Sequence, residues 1–281
     1  MTDDTHINPG VLETILETKD ELDVFILQEI VTLPMTLMVE ALIFRGDKGR
    51  WEKHFGQMLD LGKNLTKTND SLRGYKKTEE ASLKEYLEKC ISDPNINIIL
   101  GRRAPELDRE LDSFLSGIKS SLDILATILN PIMGLRLHGW HKSKRNGKKL
   151  SGAEVLSVLE NNVPAHAKER HRQLHLFIES HLEWLTYLVS LRDAVHHGGG
   201  VKTISNLYYR PDKKDVVPQH ITHEPNKGEL VRDFMTHTMH NFSMFVNNFI
   251  CLLYVSQAPN DMVLQRKENP VSYHWGIIQK S

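Results

Sequence analysis

Apolar residues recur every three or four positions along most of this chain, which is the spacing of one face of an α-helix. The clearest stripe covers 107–129, beginning after Pro105 and ending at Asn130-Pro131. Because proline fits the first turn of a helix and interrupts a helix elsewhere, this pattern predicts a helix from Pro105 to about Asn130. Two further long helices are predicted over 165–197 and 229–255.

The first third of the chain predicts helices with interruptions. Helical periodicity covers 11–33, and Pro34 then removes a backbone donor, so we expect either a kinked helix that continues to Phe44 or two shorter helices. Two amphipathic stretches, 51–65 and 78–91, are joined by a polar segment, and a loop then leads to Pro105. The polar segment contains Thr66, Asn69, Ser71 and Gly74.

Shorter elements complete the pattern, and the tail after residue 255 is polar. Ser151 and Glu154 have the spacing of a capping box, which predicts a short helix to about Leu159. The segments 201–209 and 215–222 are rich in β-branched and aromatic residues and predict a small β-hairpin. The expected fold is all-α, an up-and-down antiparallel helical bundle over 105–281 with N-terminal helices over 1–104 packed on it and the hairpin as an insertion.

Composition limits the classes of function. With 281 residues, 40% of them hydrophobic, the chain can bury a substantial core. Lys+Arg number 35 and Asp+Glu 36, so the formal charge of -1 provides no overall field that would draw nucleic acid or anionic lipid. The two cysteines lack CxxC spacing and are interpreted as reduced core thiols. A polar N-terminus and the lack of an apolar run of roughly 20 residues predict a cytoplasmic protein without membrane attachment.

A local basic segment nevertheless lies at 136–149, which contains no acidic residue. Such a segment could neutralise phosphates, and its tryptophan could stack on an unpaired base. The alternative is a solvated charged surface in which the tryptophan anchors the loop to the bundle. The candidate nucleic-acid-binding residues are Arg136, Trp140, Lys142, Lys144, Arg145, Lys148 and Lys149.

The strongest candidate for chemistry is the end of the 165–197 helix. Arg192 falls on a stripe that otherwise faces a core, where a guanidinium needs a partner. Arg192 and His196 are four residues apart, as are Asp193 and His197, so both pairs can meet on one surface of the helix. An arginine and a carboxylate beside two imidazoles could supply an acid and a base. The alternative is an ordinary helix end, because cationic side chains followed by Gly198 are typical of a C-terminal cap.

The spacing from Arg192 through Asp193 to His197 resembles the ribonuclease motif of the HEPN superfamily. The segment 110–125 is also similar to the helix that precedes the motif helix in that superfamily, and the resemblance covers mainly 105–255. It implies a homodimer in which each subunit contributes an arginine and a histidine to one composite cleft. It also implies an endoribonuclease that acts on RNA without metal or other cofactor.

In that interpretation Arg192 binds the scissile phosphate, and His197 moves a proton to or from the ribose 2′-hydroxyl or the leaving oxygen. Asp193 orients His197, and His196 is the alternative imidazole. A toxin or defence role is implied with an unknown antitoxin, although glycines stand where one toxin subgroup carries a tyrosine modified by its partner. The competing hypothesis is a non-catalytic helical module for dimerisation or nucleic-acid binding.

A metal site is the weakest alternative. Asp233, His237 and His240 share one helix face, but no fourth ligand or metalloprotease spacing accompanies them. We therefore expect no metal ligands.

Overall fold

The computed structural model describes residues 21–26, 30–31, 48–92, 101–162, 168–196, 204–257, 262–269 and 272–279. This part of the chain is predominantly helical, which confirms the helical class expected from the sequence. The helices are α1 (Glu21–Phe25), α2 (Lys48–Ser92), α3 (Pro105–Met133), α4 (Ala153–Asn162), α5 (Lys168–Ala194) and α6 (Val231–Gln257). No helix within these ranges is both long enough and apolar enough to cross a membrane.

Within the described ranges, strands occur as three antiparallel pairs. They are β1 (Lys142–Arg145) with β2 (Lys148–Ser151), β3 (Tyr208–Arg210) with β4 (Asp215–Val217), and β5 (Met262–Asn269) with β6 (Ser272–Gln279). The β3–β4 pair confirms the small hairpin, although each strand is shorter than expected. The other two pairs were not expected. For β1–β2 the signal was present, because Asn146-Gly147 at its turn has the two positive φ angles, 49° and 77°, that favour a tight hairpin.

The two helices expected at 51–65 and 78–91 form one helix, α2, of 45 residues. The joining segment was wrongly interpreted because its polar side chains face another helix. Asn69 and Ser71 are buried, and Ser71 donates to Ser113 of α3 at 3.0 Å. Asn69 donates to Asp23 of α1 at 3.1 Å. Since these groups find hydrogen-bond partners inside the protein, their polarity does not break the helix.

Helices α2 and α3 make the most extensive contact between helices in the described residues. Their backbones come close at Gly117, where an added Cβ would lie 2.1 Å from the Oγ1 of Thr68. Asn64 strengthens the contact, since its Nδ2 donates to the carbonyl of Gly117 and to the hydroxyl of Ser121, each at 2.7 Å. The contact is therefore built from small and polar side chains as well as apolar ones.

Helix α3 begins at Pro105, as the sequence predicts, but it continues past Pro131 to Met133. A proline this close to the end removes only one of the last hydrogen bonds, so it does not terminate the helix. The end is set by Gly134, whose φ of 67° forms a left-handed cap with its N–H bonded to the carbonyl of Asn130 at 2.9 Å.

Helices α3, α5 and α6 share the main core, into which α6 contributes Phe242, Phe245 and Phe249. Both cysteines, Cys90 and Cys251, are buried free thiols, which confirms their interpretation. Helices α4, α5 and α6 lie close to the predicted bounds. Most of the helix expected over 11–33 and all of its continuation to residue 44 lie outside the described residues, although α1 falls within the first of these ranges.

Candidate functional site

Helix α5 carries the candidate motif at its C-terminal end. Its stripe of Leu174, Ile178, Leu185 and Leu188 is buried, which fixes the rotation of the helix against the core. The regular helix ends at Ala194, and Val195 and His196 continue it in a wider turn. The end of the stripe therefore comes to the surface, with Arg192 27% exposed.

Arg192 has two hydrogen-bond partners among the described residues. Its Nη1 donates to the Oδ1 of Asp193 at 3.2 Å, and its Nε lies 3.5 Å from the hydroxyl of Ser116 on α3. The guanidinium is therefore held by a neighbouring carboxylate and by a neutral hydroxyl. This satisfies the requirement for a partner that its place on an apolar stripe predicts.

Asp193 connects the motif to the β1–β2 hairpin. Its Oδ2 accepts from the Nζ of Lys142 at 2.9 Å, while Oδ1 accepts from Arg192. Partial burial alone would raise the pKa of Asp193, but the hydrogen bonds from Lys142 and Arg192 outweigh this effect and hold the pKa below its ordinary value. Asp193 is consequently an anion between two cations at neutral pH.

His196 is fastened to α3. Its Nδ1 lies 3.2 Å from the Oδ1 of Asp112, and its side chain is 47% exposed. The residue expected to carry the proton, His197, lies outside the described residues, as do the glycines that follow it. The expected pairing of Asp193 with His197 therefore stays a prediction.

Asp112, Ser116, Lys142, Arg192, Asp193 and His196 together form the motif cluster. Three of its members were named from the α5 motif and Lys142 from the basic segment. Asp112 and Ser116 were missed, although they lie four residues apart on α3 and belong to a polar stripe that continues through Lys119 and Asp123. That spacing was the available signal, since residues four apart share one face of a helix.

The basic segment is largely engaged within the molecule. Arg145 donates to Glu160 of α4 and Glu179 of α5, at 2.9 and 2.8 Å. Lys148 pairs with Glu183 of α5 at 2.7 Å. The hairpin thus lies along an acidic face of α5, and three of the six basic residues nominated for nucleic acid, Lys142 included, have carboxylate partners. Arg136, Lys144 and Lys149 are exposed on the same segment.

Trp140 does not lie where an unpaired base could stack on it. Its side chain is 0% exposed and packs edge-on against Phe245 and Phe249, with ring centroids 6.3 and 6.2 Å apart. Its backbone N–H donates to the Oδ1 of Asp123 at 2.7 Å. The base-stacking role is therefore wrong for this conformation, because the ring contributes a large apolar surface to the core and anchors the loop.

The motif cluster combines two cations with two carboxylates. An ammonium and a guanidinium share the carboxylate of Asp193, and the carboxylate of Asp112 lies beside the imidazole of His196. Within the described ranges no group of three or more His, Cys, Asp or Glu side chains could hold a metal ion. His237 instead lies 3.1 Å from Glu229, and Asp233 lies beside Arg232 at 3.5 Å.

Comparison of this chain with protein-family models, with curated proteins and with solved structures finds no match. Functional inference therefore depends on the residues and their geometry.

Proposed function

We propose that this chain is a metal-independent endoribonuclease of the HEPN type. The observation that carries the proposal is the position of Arg192, which ends a buried stripe yet keeps its guanidinium partly exposed, one helical turn before His196. A guanidinium in this position can bind a phosphate and stabilise the negative charge that develops on it during cleavage.

The proton transfer is assigned to His197, on the spacing of the resemblance and on the carboxylate of Asp193 four residues earlier. His196 is the alternative, and its contact with Asp112 supports it, because a carboxylate partner orients an imidazole. Attack of the ribose 2′-hydroxyl on the adjacent phosphorus would displace the 5′-oxygen and leave a cyclic phosphate. The base removes the hydroxyl proton, and an acid returns a proton to the leaving oxygen.

The finer architecture belongs to this proposal. Helices α3, α5 and α6 form an up-and-down antiparallel bundle, and two copies in a cytoplasmic homodimer bring their motif clusters to one cleft. RNA would extend from that cleft over the exposed Arg136, Lys144 and Lys149. A toxin or defence role, with an antitoxin partner of unknown chemistry, completes this proposal.

The second candidate is a non-catalytic module for dimerisation or nucleic-acid binding. It is favoured by the ion pairs Lys142–Asp193 and His196–Asp112, which fasten the end of α5 to β1 and α3. In that case Arg192 only stabilises the helix end.

Incubation of the purified protein with mixed single-stranded RNA in a chelator separates the two candidates. The proposal expects cyclic-phosphate fragments from the wild type, and formation of these fragments slowed by at least about 100-fold in Arg192→Ala or His197→Ala, with circular dichroism unchanged. Arg109→Ala is the matched control, since it removes an exposed arginine from α3. Unchanged cleavage by both motif variants contradicts the residue assignment, and RNA retention without cleavage favours the binding module.

A further inference from the structure

Two cations of the motif cluster share one carboxylate. The Nζ of Lys142 lies 2.9 Å from one oxygen of Asp193, and the Nη1 of Arg192 lies 3.2 Å from the other. Both cations are 27% exposed and Asp193 is 40% exposed. All three groups are therefore partly exposed to solvent.

The position of Lys142 does not depend on Asp193 alone. The hairpin that carries Lys142 is held on α5 by Arg145, which contacts Glu179 at 2.8 Å. It is also held by the backbone N–H of Ser151, which donates to the hydroxyl of Thr186 at 2.7 Å. These contacts do not involve Asp193, so the hairpin that carries Lys142 is held on α5 independently of that carboxylate.

We infer that Lys142 is a second phosphate-binding residue and that the carboxylate of Asp193 holds the place taken by a phosphodiester of RNA between Lys142 and Arg192. This inference rests on the proposed function, since it names how the same site grips its substrate. Guanidinium and ammonium groups bind phosphate as readily as carboxylate, with two oxygens presented in a similar way. The lowered pKa of Asp193 agrees with a position where both cations favour an anion.

Replacement of Asp193 by a phosphodiester would explain why Lys142, which comes from the β1–β2 hairpin, lies beside the α5 motif. With only Arg192 present, loss of Asp193 to solvent would leave one cation for the phosphate. With Lys142 in place, the phosphate meets two cations that are already side by side. Asp193 is then a competitor of the substrate as well as a neighbour of the catalytic imidazole.

The test uses a short single-stranded 2′-O-methyl RNA, which has no free 2′-hydroxyl at its internal linkages and cannot be cut by the proposed route. Fluorescence anisotropy over a series of salt concentrations gives the affinity and its salt dependence. Lys142→Gln should weaken binding about tenfold and reduce the slope of log affinity against log salt by about 0.7, the loss of one phosphate contact. Lys142→Arg should retain both values.

Two further variants sharpen the result. Lys89→Gln removes a lysine from an ion pair with Glu85, 2.6 Å away on α2, and should leave affinity and slope unchanged. Asp193→Asn removes the competing anion and should tighten binding several-fold, whereas a purely structural Asp193 would leave affinity unchanged or lower it. Thermal melts verify that each variant is folded.

The outcomes separate this inference from the proposed function. Cleavage of ordinary RNA by the wild type, with equal probe affinity and slope in Lys142→Gln, overturns the inference and leaves the function standing. Binding that depends on Lys142 without any cleavage supports the inference and overturns the function. Absence of probe binding by the wild type overturns the inference as well.

Discussion

The inner face of α2 and the motif cluster both place polar groups where helices meet, but they differ in charge and exposure. The inner face, formed by Asn64, Thr68, Asn69 and Ser71, consists of amides and hydroxyls. Its members donate to groups within the protein, and three of them are less than a tenth exposed. The motif cluster consists mainly of charged groups that remain between a quarter and a half exposed.

The difference indicates that polar groups have different roles in the two regions. A buried amide or hydroxyl with a satisfied hydrogen bond costs little and specifies how two helices pack. A half-exposed ion pair contributes little to stability, because water screens it, but its members remain able to exchange partners. We therefore expect substitutions on α2 to change stability and substitutions in the motif cluster to change activity.

The largest expected effect is on cleavage by Arg192→Ala. Loss of a group that stabilises developing charge should lower the rate constant by about 100-fold to 1,000-fold. The melting temperature should change little, since the side chain is partly exposed and its partners retain access to water. Parallel single-turnover assays and thermal melts measure both quantities. If the variant unfolds, Arg192 has a structural role like that of the polar residues on the inner face of α2.

The next effect is a pH dependence that comes from His54, on the buried side of α2. Its ring bonds to the hydroxyl of Tyr254 at 2.6 Å, and burial lowers its pKa from 6.5 to about 4. The unfolded chain therefore binds a proton that the folded protein excludes between those values. The free energy of unfolding should fall as pH drops from 6.5 to 4, by on the order of 3 kcal/mol.

Urea unfolding across this pH range, compared between wild type and His54→Gln, measures the contribution of the ring. The variant should lose stability less steeply as the pH falls, because glutamine does not titrate. Parallel curves for the two proteins would contradict the buried neutral imidazole.

A smaller effect is expected where α2 and α3 approach each other. Gly117→Ala places a methyl group against Thr68 and should lower the free energy of unfolding by about 1–3 kcal/mol, because the helices must move apart. Gly56→Ala on α2 is the matched control, since nothing lies within 4 Å of its added methyl group. The control should stabilise the helix by up to about 1 kcal/mol. Equal effects from the two variants, measured by urea unfolding, would contradict the close approach.

The smallest effect is expected from the basic hairpin. Arg145→Gln removes contacts to Glu160 and Glu179, both about two-fifths exposed. We expect the free energy of unfolding to fall by about 1 kcal/mol or less at low salt. The difference from wild type should become smaller as salt is added. Thermal melts at two ionic strengths measure this change. A large loss of stability that persists at high salt would show that Arg145 contributes to stability as the buried polar groups of α2 do, and not only through screened ion pairs.

Sequence reasoning predicted the long helices well, because apolar periodicity reports the face that each helix buries. It failed at the joining segment of α2, where Asn69 and Ser71 are polar yet buried, since periodicity cannot tell a satisfied polar group from a solvated one. It also left open whether Trp140 stacks on a base or anchors its loop, because basic neighbours do not report burial, and the ring fills the core. The Lys142–Asp193 contact joins elements far apart in the chain, and no local pattern encodes it.

Helix α2 has one more consequence. At about 1.5 Å of rise per residue, its 45 residues form a rod of roughly 68 Å that has no break between its ends. The contact of Asn69 with Asp23, near the middle of α2, and the contact of His54 with Tyr254, near its beginning, therefore belong to one continuous helix. A displacement of α2 at one of these attachments would therefore be felt at the other, so the contact with α1 and the contact with α6 are coupled through one helix.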